Sequence, residues 1–150
     1  MQSDPTTLRA LADRAERESP SAELDWRIYL AATEEGRWCA LRPTDELCMS
    51  WDEWIATHKP PDLYTTSLDA ALTLVPDEAF VFNLSWDDEP VSHPIFAGII
   101  TGRSETVARL ERPQEIDGRV PWKAALARLV TAAALRALAE EAEHKPMEAA

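Results

Sequence analysis

The chain is poor in glycine and cysteine, and each shortage excludes a class of site. It has only four glycines, which cannot build the glycine-rich loop that cradles phosphates, and no nucleotide-binding fingerprint occurs. The G-x-S-x-G elbow of serine nucleophiles is also absent. Cys39 and Cys48 lack a His or Cys partner at metal-ligand spacing, so we expect two free thiols rather than a disulfide or a metal site.

Basic residues are missing from the middle of the chain. Residues 60–102 contain seven acidic residues and no lysine or arginine, and the whole chain carries a net charge of −12. Phosphate binding depends on clustered Lys and Arg, so we expect no direct binding of nucleic acid. The acidity has two interpretations. It can attract a basic protein partner, even by imitating the nucleic acid that such a partner binds, or it can serve only to keep the protein soluble.

Long apolar runs are missing as well. No stretch approaches the ~20 residues of a membrane-spanning helix, and the N-terminus lacks the basic and then apolar layout of a signal peptide. We therefore expect no membrane contact and a cytoplasmic location. The length and the six tryptophans predict a single folded domain over residues 1–145, with a frayed tail over 146–150.

Helical spacing dominates the first third of the chain. Asp4 and Pro5 predict a helix start, with apolar residues at helical spacing up to Ser19-Pro20. A second helix is predicted over Glu23–Ala32 and ended by Gly36, with a strand over Trp26–Leu30 as the alternative.

The segment after Gly36 gives weaker signals. Trp38 and Ala40 indicate a short strand and hairpin, and Ser50 is typical of the residue that caps a helix start. The prolines of His58–Asp62 then predict a stiff loop.

The segment Tyr64–Pro76 has the pattern of a short, capped helix. Ser67 is a plausible N-cap; Leu68, Leu72 and Val75 follow one helical face, and Pro76 stops the helix. A helix of about two turns is not stable alone, so its apolar face must be docked on the rest of the fold. The alternative is a functional role, in which Tyr64 and the neighbouring threonines present their hydroxyls at the surface.

The last half of the chain predicts a sheet and a long helix. Alternating and β-branched residues predict strands over Ala79–Trp86, Pro94–Thr101 and Thr106–Glu111, arranged as an antiparallel meander. An alanine-rich helix is predicted from Trp122 to about Glu143. The fold class is therefore α+β: one domain with an antiparallel sheet of about three strands, packed with helices and closed by the long C-terminal helix.

Catalytic patterns are absent from the sequence. His58, His93 and His144 lie far apart, so we expect no metal cluster, no cofactor and no catalytic residue, and the protein is predicted not to be an enzyme. The competing hypothesis is a small hydrolase in which the acidic turn 87–89, with Asp52 or Glu53, binds magnesium or manganese.

Tryptophans beside acids favour a protein interface over a nucleic-acid platform, which would need Arg and Lys nearby. Packing under loops is the alternative role for these tryptophans. The predicted interaction surface combines these aromatics with the acidic middle of the chain: Trp51, Trp54, Asp62, Tyr64, Asp77, Glu78, Asp87, Asp88 and Glu89.

The Ser67–Pro76 phrase also resembles one in a family of uncharacterised phage and prophage proteins, the phage α/β/α-sandwich domain family. Four other features are similar to that family and occur in the same order along the chain, whereas Arg103–Val120 departs from it. The similar features are the Leu-Ala-x-Arg helix near the start, the Glu23-Leu24-Asp25 segment, the aromatic strand over Phe80–Trp86 and the alanine-rich helix over Ala124–Ala139. The resemblance implies a sandwich fold and a phage or prophage origin, and no catalytic residues.

The sequence therefore favours a phage accessory protein that acts by protein binding, as an acidic inhibitor or mimic directed at a host or defence protein with a basic site. Besides this binding protein and the small hydrolase, a third hypothesis is a structural or assembly component of the virion that dimerises through the C-terminal helix.

Overall fold

A computed structural model describes residues 4–41, 49–76, 80–85, 95–100, 105–110 and 122–144. Within these ranges the chain forms six helices and one small sheet. The elements are α1 (Pro5–Arg17), α2 (Ala22–Ala32), α3 (Glu34–Ala40), α4 (Trp51–Thr57), α5 (Leu68–Leu72), β1 (Phe80–Ser85), β2 (Ile95–Ile100), β3 (Glu105–Leu110) and α6 (Trp122–His144).

Helix α1 begins where the sequence predicts. The Asp4 carboxylate accepts a hydrogen bond from the Thr6 backbone N–H, and Pro5 occupies the first turn, where its missing N–H costs nothing. The predicted apolar face is buried and packs against α6: Leu8, Leu11, Ala12 and Ala15. Helix α1 ends at Arg17, before Ser19-Pro20.

The helical interpretation of Trp26–Leu30 is confirmed, but the prediction that Gly36 ends this helix is wrong. Helix α2 stops at Thr33, whose side chain caps α3 by accepting a hydrogen bond from the Gly36 N–H at 2.9 Å. The strand and hairpin predicted around Trp38 and Ala40 are therefore also wrong, since both residues lie in α3. Gly36 serves close packing, because a Cβ there would lie 1.7 Å from the carbonyl oxygen of Tyr29.

The two short helices α4 and α5 have the predicted caps. The Ser50 and Ser67 side chains accept hydrogen bonds from the Glu53 and Ala70 N–H groups, respectively. Helix α5 ends at Leu72 rather than continuing to Pro76, and its buried residues are Ala70 and Ala71. Leu72, predicted to lie on the docked apolar face, is 42% exposed, since the buried side of α5 carries Ala70 and Ala71 instead.

The three described strands form an antiparallel sheet in the order β1-β2-β3, as the predicted meander requires. Strands β2 and β3 pair in continuous register from Ile95↔Leu110 to Ile100↔Glu105, whereas the β1–β2 register shifts between Phe82 and Ser85.

Helix α6 lies at the centre of the fold, in contact with α1, α5, β2 and β3. Every side chain from Leu126 to Leu135 is buried, so this part of α6 is covered on all sides rather than along one stripe. The predicted long C-terminal helix and the antiparallel sheet packed with helices are confirmed. Helices supply most of the described residues, and the predicted tail over 146–150 lies outside them.

Candidate functional site

The predicted interaction surface is described only in part. Asp62 is exposed, Trp51 and Trp54 are half-buried, and Tyr64 is 1% exposed. The other members of that surface lie outside the described residues: Asp77, Glu78, Asp87, Asp88 and Glu89.

Tyr64 does not contribute to an exposed surface, which corrects its predicted role. Its hydroxyl donates to Asp62 Oδ2 at 3.3 Å, and burial, assisted by the negative charge of Asp62, raises the pKa of the phenol. Its backbone carbonyl accepts a hydrogen bond from the buried hydroxyl of Thr131 at 2.7 Å. Tyr64 therefore ties the segment before α5 to α6.

Trp51 and Trp54 form a packed aromatic group. Their rings meet edge to face with centroids 6.3 Å apart, and the His58 ring stacks on Trp54 at 3.7 Å. The indole N–H groups of both tryptophans are buried and find no acceptor among the described residues. Packing thus accounts for most of their surface, which favours the alternative interpretation of these two residues.

An exposed aromatic lies instead on α3. Trp38 is 65% exposed, and Glu34 and Glu35, both exposed, precede it by four and three residues on the same helix surface. The sequence interpretation missed this group because it predicted a strand there.

Asp62 and α3 both influence one side chain, the phenol of Tyr29 on α2. The pKa of the half-buried Tyr29 is raised first by burial and then by neighbouring groups that include Cys39, Glu35 and Asp62. Glu35 and Asp62 therefore both act electrostatically on the phenol of Tyr29. We call Glu34, Glu35, Trp38 and Asp62 the α3 patch.

The basic residues of α1 and α6 are largely occupied within the fold. Arg9 pairs with Glu140 and Glu143, and Arg136 pairs with Asp13 at 2.9 Å and Glu16 at 2.7 Å. By contrast, the three carboxylates of the α3 patch form no ion pair with any described residue. Within the described part of the chain, the negative charge of these carboxylates is therefore not offset by an ion pair.

A buried carboxylate lies beneath this region. Asp25 is 2% exposed, and its Oδ1 accepts hydrogen bonds from the backbone N–H and the hydroxyl of Thr65, each at 2.9 Å. Burial raises its pKa, and the two Thr65 hydrogen bonds oppose that shift. The pair joins α2 to the segment before α5, a role that no local sequence signal could reveal.

A groove opens where α1, α2, α3 and α4 meet. It has a volume of about 430 Å³, and its walls are mostly apolar. Its lining residues are Asp4, Thr7, Leu11, Arg27, Leu30, Ala31, Arg37, Ala40, Leu41 and Trp51.

The described residues bring together no group of three or more His, Cys, Asp or Glu side chains able to hold a metal ion. The acidic turn of the hydrolase hypothesis, 87–89, is outside them. Cys39 is a half-buried free thiol; Cys48 is also outside the described ranges. No helix in the described part is long and apolar enough to cross a membrane.

Comparison with known proteins returns no relative: no family model, no curated protein and no solved structure matches the chain. The phage α/β/α-sandwich resemblance therefore stays a prediction.

Proposed function

We propose that the protein is a phage or prophage accessory protein that acts without catalysis, by binding a basic partner protein through the α3 patch. The observation that carries this proposal is the exposed ring of Trp38 on the same helix surface as the exposed carboxylates of Glu34 and Glu35. These two carboxylates and that of Asp62 form no ion pair with any described residue. Aromatic side chains contribute strongly to protein interfaces, and surrounding charge guides the choice of partner.

The charge distribution supports a basic partner. Arginines on α1 and α6 that could offset the acids already form ion pairs with acids of the same two helices. Among the described residues between 34 and 69, the basic ones are Arg37 and Lys59. A protein whose own ligand is a phosphate backbone fits such a surface, because its binding site is already lined with Lys and Arg. Within the phage setting that the resemblance implies, this partner is a host or defence protein.

The alternatives are a hydrolase and a virion component. The hydrolase depends on an acidic turn outside the described residues, so the structure neither supports nor opposes it. Dimerisation through α6, as in a virion component, would need residues other than Leu126 to Leu135, because a single chain already buries them.

Affinity capture tests the proposal. The tagged full chain is incubated with bacterial lysate, washed at low and then high salt, and the eluates are identified by mass spectrometry. We expect a basic protein that is retained at low salt and released at high salt, because exposed charge pairs are screened by ions. The double variant Glu35→Gln/Asp62→Asn should lose it.

The matched control is Glu141→Gln, which removes one charge from α6 far along the chain from the patch. It should retain the partner. Recovery of the tagged protein alone, or of a partner that the double variant and wild type hold equally, would refute the proposal.

A further inference from the structure

Helix α3 carries a stripe of exposed residues that runs from the α3 patch to the groove. Glu34, Trp38 and Leu41 follow the spacing i, i+4 and i+7, and the backbone of Leu41 keeps right-handed helical angles, so the three lie along one side of α3. Trp38 is 65% exposed and Leu41 62%. Leu41 also lines the groove, whereas Glu34 belongs to the α3 patch. The stripe therefore has an acidic end and an apolar end.

The groove offers room for apolar side chains. Its volume of about 430 Å³ lies within the range of roughly 300–1,000 Å³ found for small binding sites. Leu11, Leu30 and Ala31 supply apolar walls from α1 and α2, and Ala40 and Leu41 supply them from the end of α3.

The charged groups of the lining are engaged within the chain. Arg27 donates to Asp52 at 2.6 Å, and Arg37 donates to the carbonyl oxygen of Ala32 at 3.3 Å, among other interactions. The carboxylate of Asp4 caps α1. What the groove offers an incoming group is therefore apolar contact, which suits an apolar side chain better than a charged one.

The other end of the stripe favours positive charge. Glu34 and Glu35 are exposed and form no ion pair with any described residue. The ring of Trp38 lies between Glu34 and Leu41 on the stripe, and a guanidinium stacks well on such a ring. At 1.5 Å per residue, Glu34 and Leu41 are about 10 Å apart along the helix.

We propose that the partner of the α3 patch docks through an amphipathic basic helix, which places apolar side chains in the groove past Leu41 and basic side chains about two turns away, beside Glu34. Helices repeat side chains along one face at i, i+3 or i+4 and i+7, which matches the spacing of the stripe. This inference rests on the proposed function and adds the groove to the binding surface.

Calorimetric titration of the full chain with synthetic peptides tests the docking mode. The probe is a peptide of leucine, alanine and arginine, about 18 residues long so that it can form a helix, with its leucines along one face. A second peptide of the same composition has its leucines dispersed around the helix, and should bind at least about tenfold more weakly because it has no apolar face. A third, with citrulline in place of arginine, should bind at least about tenfold more weakly at low salt.

Variants of the protein separate the two ends of the stripe. Ala40→Trp fills the groove from an exposed position, and should weaken the first peptide at least about tenfold and leave the second unchanged. Ala56→Trp adds the same bulk at an exposed alanine outside the groove and should change neither. Circular dichroism confirms that both variants are folded. Glu34→Gln should weaken the first peptide about threefold and leave the citrulline peptide unchanged, whereas Glu141→Gln should affect neither.

Three results would each overturn the docking mode: no binding of the first peptide at millimolar concentration, equal affinity for the two arginine peptides, or binding that Ala40→Trp leaves intact. Self-association of the protein alone that Ala40→Trp abolishes, measured by light scattering, would assign the groove to a second copy instead. A captured partner that is held by Ala40→Trp but lost by Glu35→Gln/Asp62→Asn would refute this inference and leave the proposed function standing. A partner held equally by wild type and that double variant would refute the proposed function itself.

Discussion

Oδ1 of Asp25 accepts two hydrogen bonds from Thr65, one from its backbone N–H and one from its hydroxyl, each at 2.9 Å. This contact spans forty residues and fixes α2 to the segment that carries Tyr64 and leads into α5. Asp62, a member of the α3 patch, lies in the same segment and accepts the Tyr64 hydroxyl hydrogen bond. The buried pair therefore positions part of the proposed interaction surface.

Replacement of Asp25 should show the strength of this contact. Asp25→Ala leaves the Thr65 N–H and hydroxyl buried without an acceptor, and should lower the free energy of unfolding by about 3 kcal/mol. Asp25→Asn retains an acceptor oxygen and should cost less. Urea unfolding at neutral pH measures both. Equal losses for the two variants would show that the hydrogen bonds to Oδ1 are not the stabilising feature.

The raised pKa of Asp25 also predicts a pH dependence. Burial disfavours the ionised carboxylate in the folded state, so the contribution of Asp25 is fully present below its ordinary pKa of about 4. That contribution is lost as the pH rises through the higher folded value. The free energy of unfolding of wild type should therefore fall relative to Asp25→Asn as the pH is raised from below 4 towards neutrality.

Glu18 provides a control of opposite sign. Its pKa is lowered, chiefly by the hydrogen bond from Arg14, so its contribution is present above the ordinary glutamate value and lost as the pH falls through the folded value. Glu18→Gln should approach wild-type stability at low pH and fall below it only at higher pH. A pH profile of the same sign for both variants would contradict the assigned environments.

Arg128 is predicted to be a structural residue. It is fully buried in α6 and donates from Nε to the Ala15 carbonyl and from Nη2 to the Glu16 carbonyl, both at 3.1 Å. These carbonyls belong to the last turn of α1, where helical partners are missing. Arg128→Met should lower the free energy of unfolding by about 3 kcal/mol.

Arg9→Met is the matched control for Arg128→Met, because Arg9 forms ion pairs with Glu140 and Glu143 at the surface. It should cost less than about 1 kcal/mol. If chemical denaturation gives similar losses for the two variants, then capping of α1 by Arg128 does not stabilise the fold.

Gly36→Ala should be strongly destabilising despite the better helix propensity of alanine. The new Cβ would meet the Tyr29 carbonyl oxygen at 1.7 Å, so α2 and α3 would have to separate. We expect a loss of about 3 kcal/mol in urea unfolding, together with a change in the fluorescence of nearby Trp38. A variant as stable as wild type would show that the α2–α3 junction can relax.

Local sequence patterns predicted the elements that depend on local signals. The caps Asp4, Ser50 and Ser67 and the long run of alanines in α6 specify their helices through neighbours within one or two turns. The strands followed in the same way from their β-branched and aromatic residues.

Local patterns could not predict the roles of residues whose contacts lie far away in the sequence. Gly36 resembled a helix end because its packing against Tyr29 depends on how α2 and α3 meet. Burial of Arg128 depends on carbonyls more than 100 positions away, and burial of Tyr64 on α6. Of the predicted site, Asp62 remains an exposed member, while Trp38 was missed because its helix was not predicted.

The most direct test of the proposed function is the affinity of the captured partner for wild type and for Glu35→Gln/Asp62→Asn, measured by calorimetry over a series of salt concentrations. We predict that the wild-type affinity falls steeply with salt and that the double variant binds at least about tenfold more weakly at low salt, with a shallower salt dependence. Trp38→Ala should weaken binding at every salt concentration, because its contribution is apolar. Affinities that are independent of salt and equal for wild type and the double variant would contradict a role for the α3 patch.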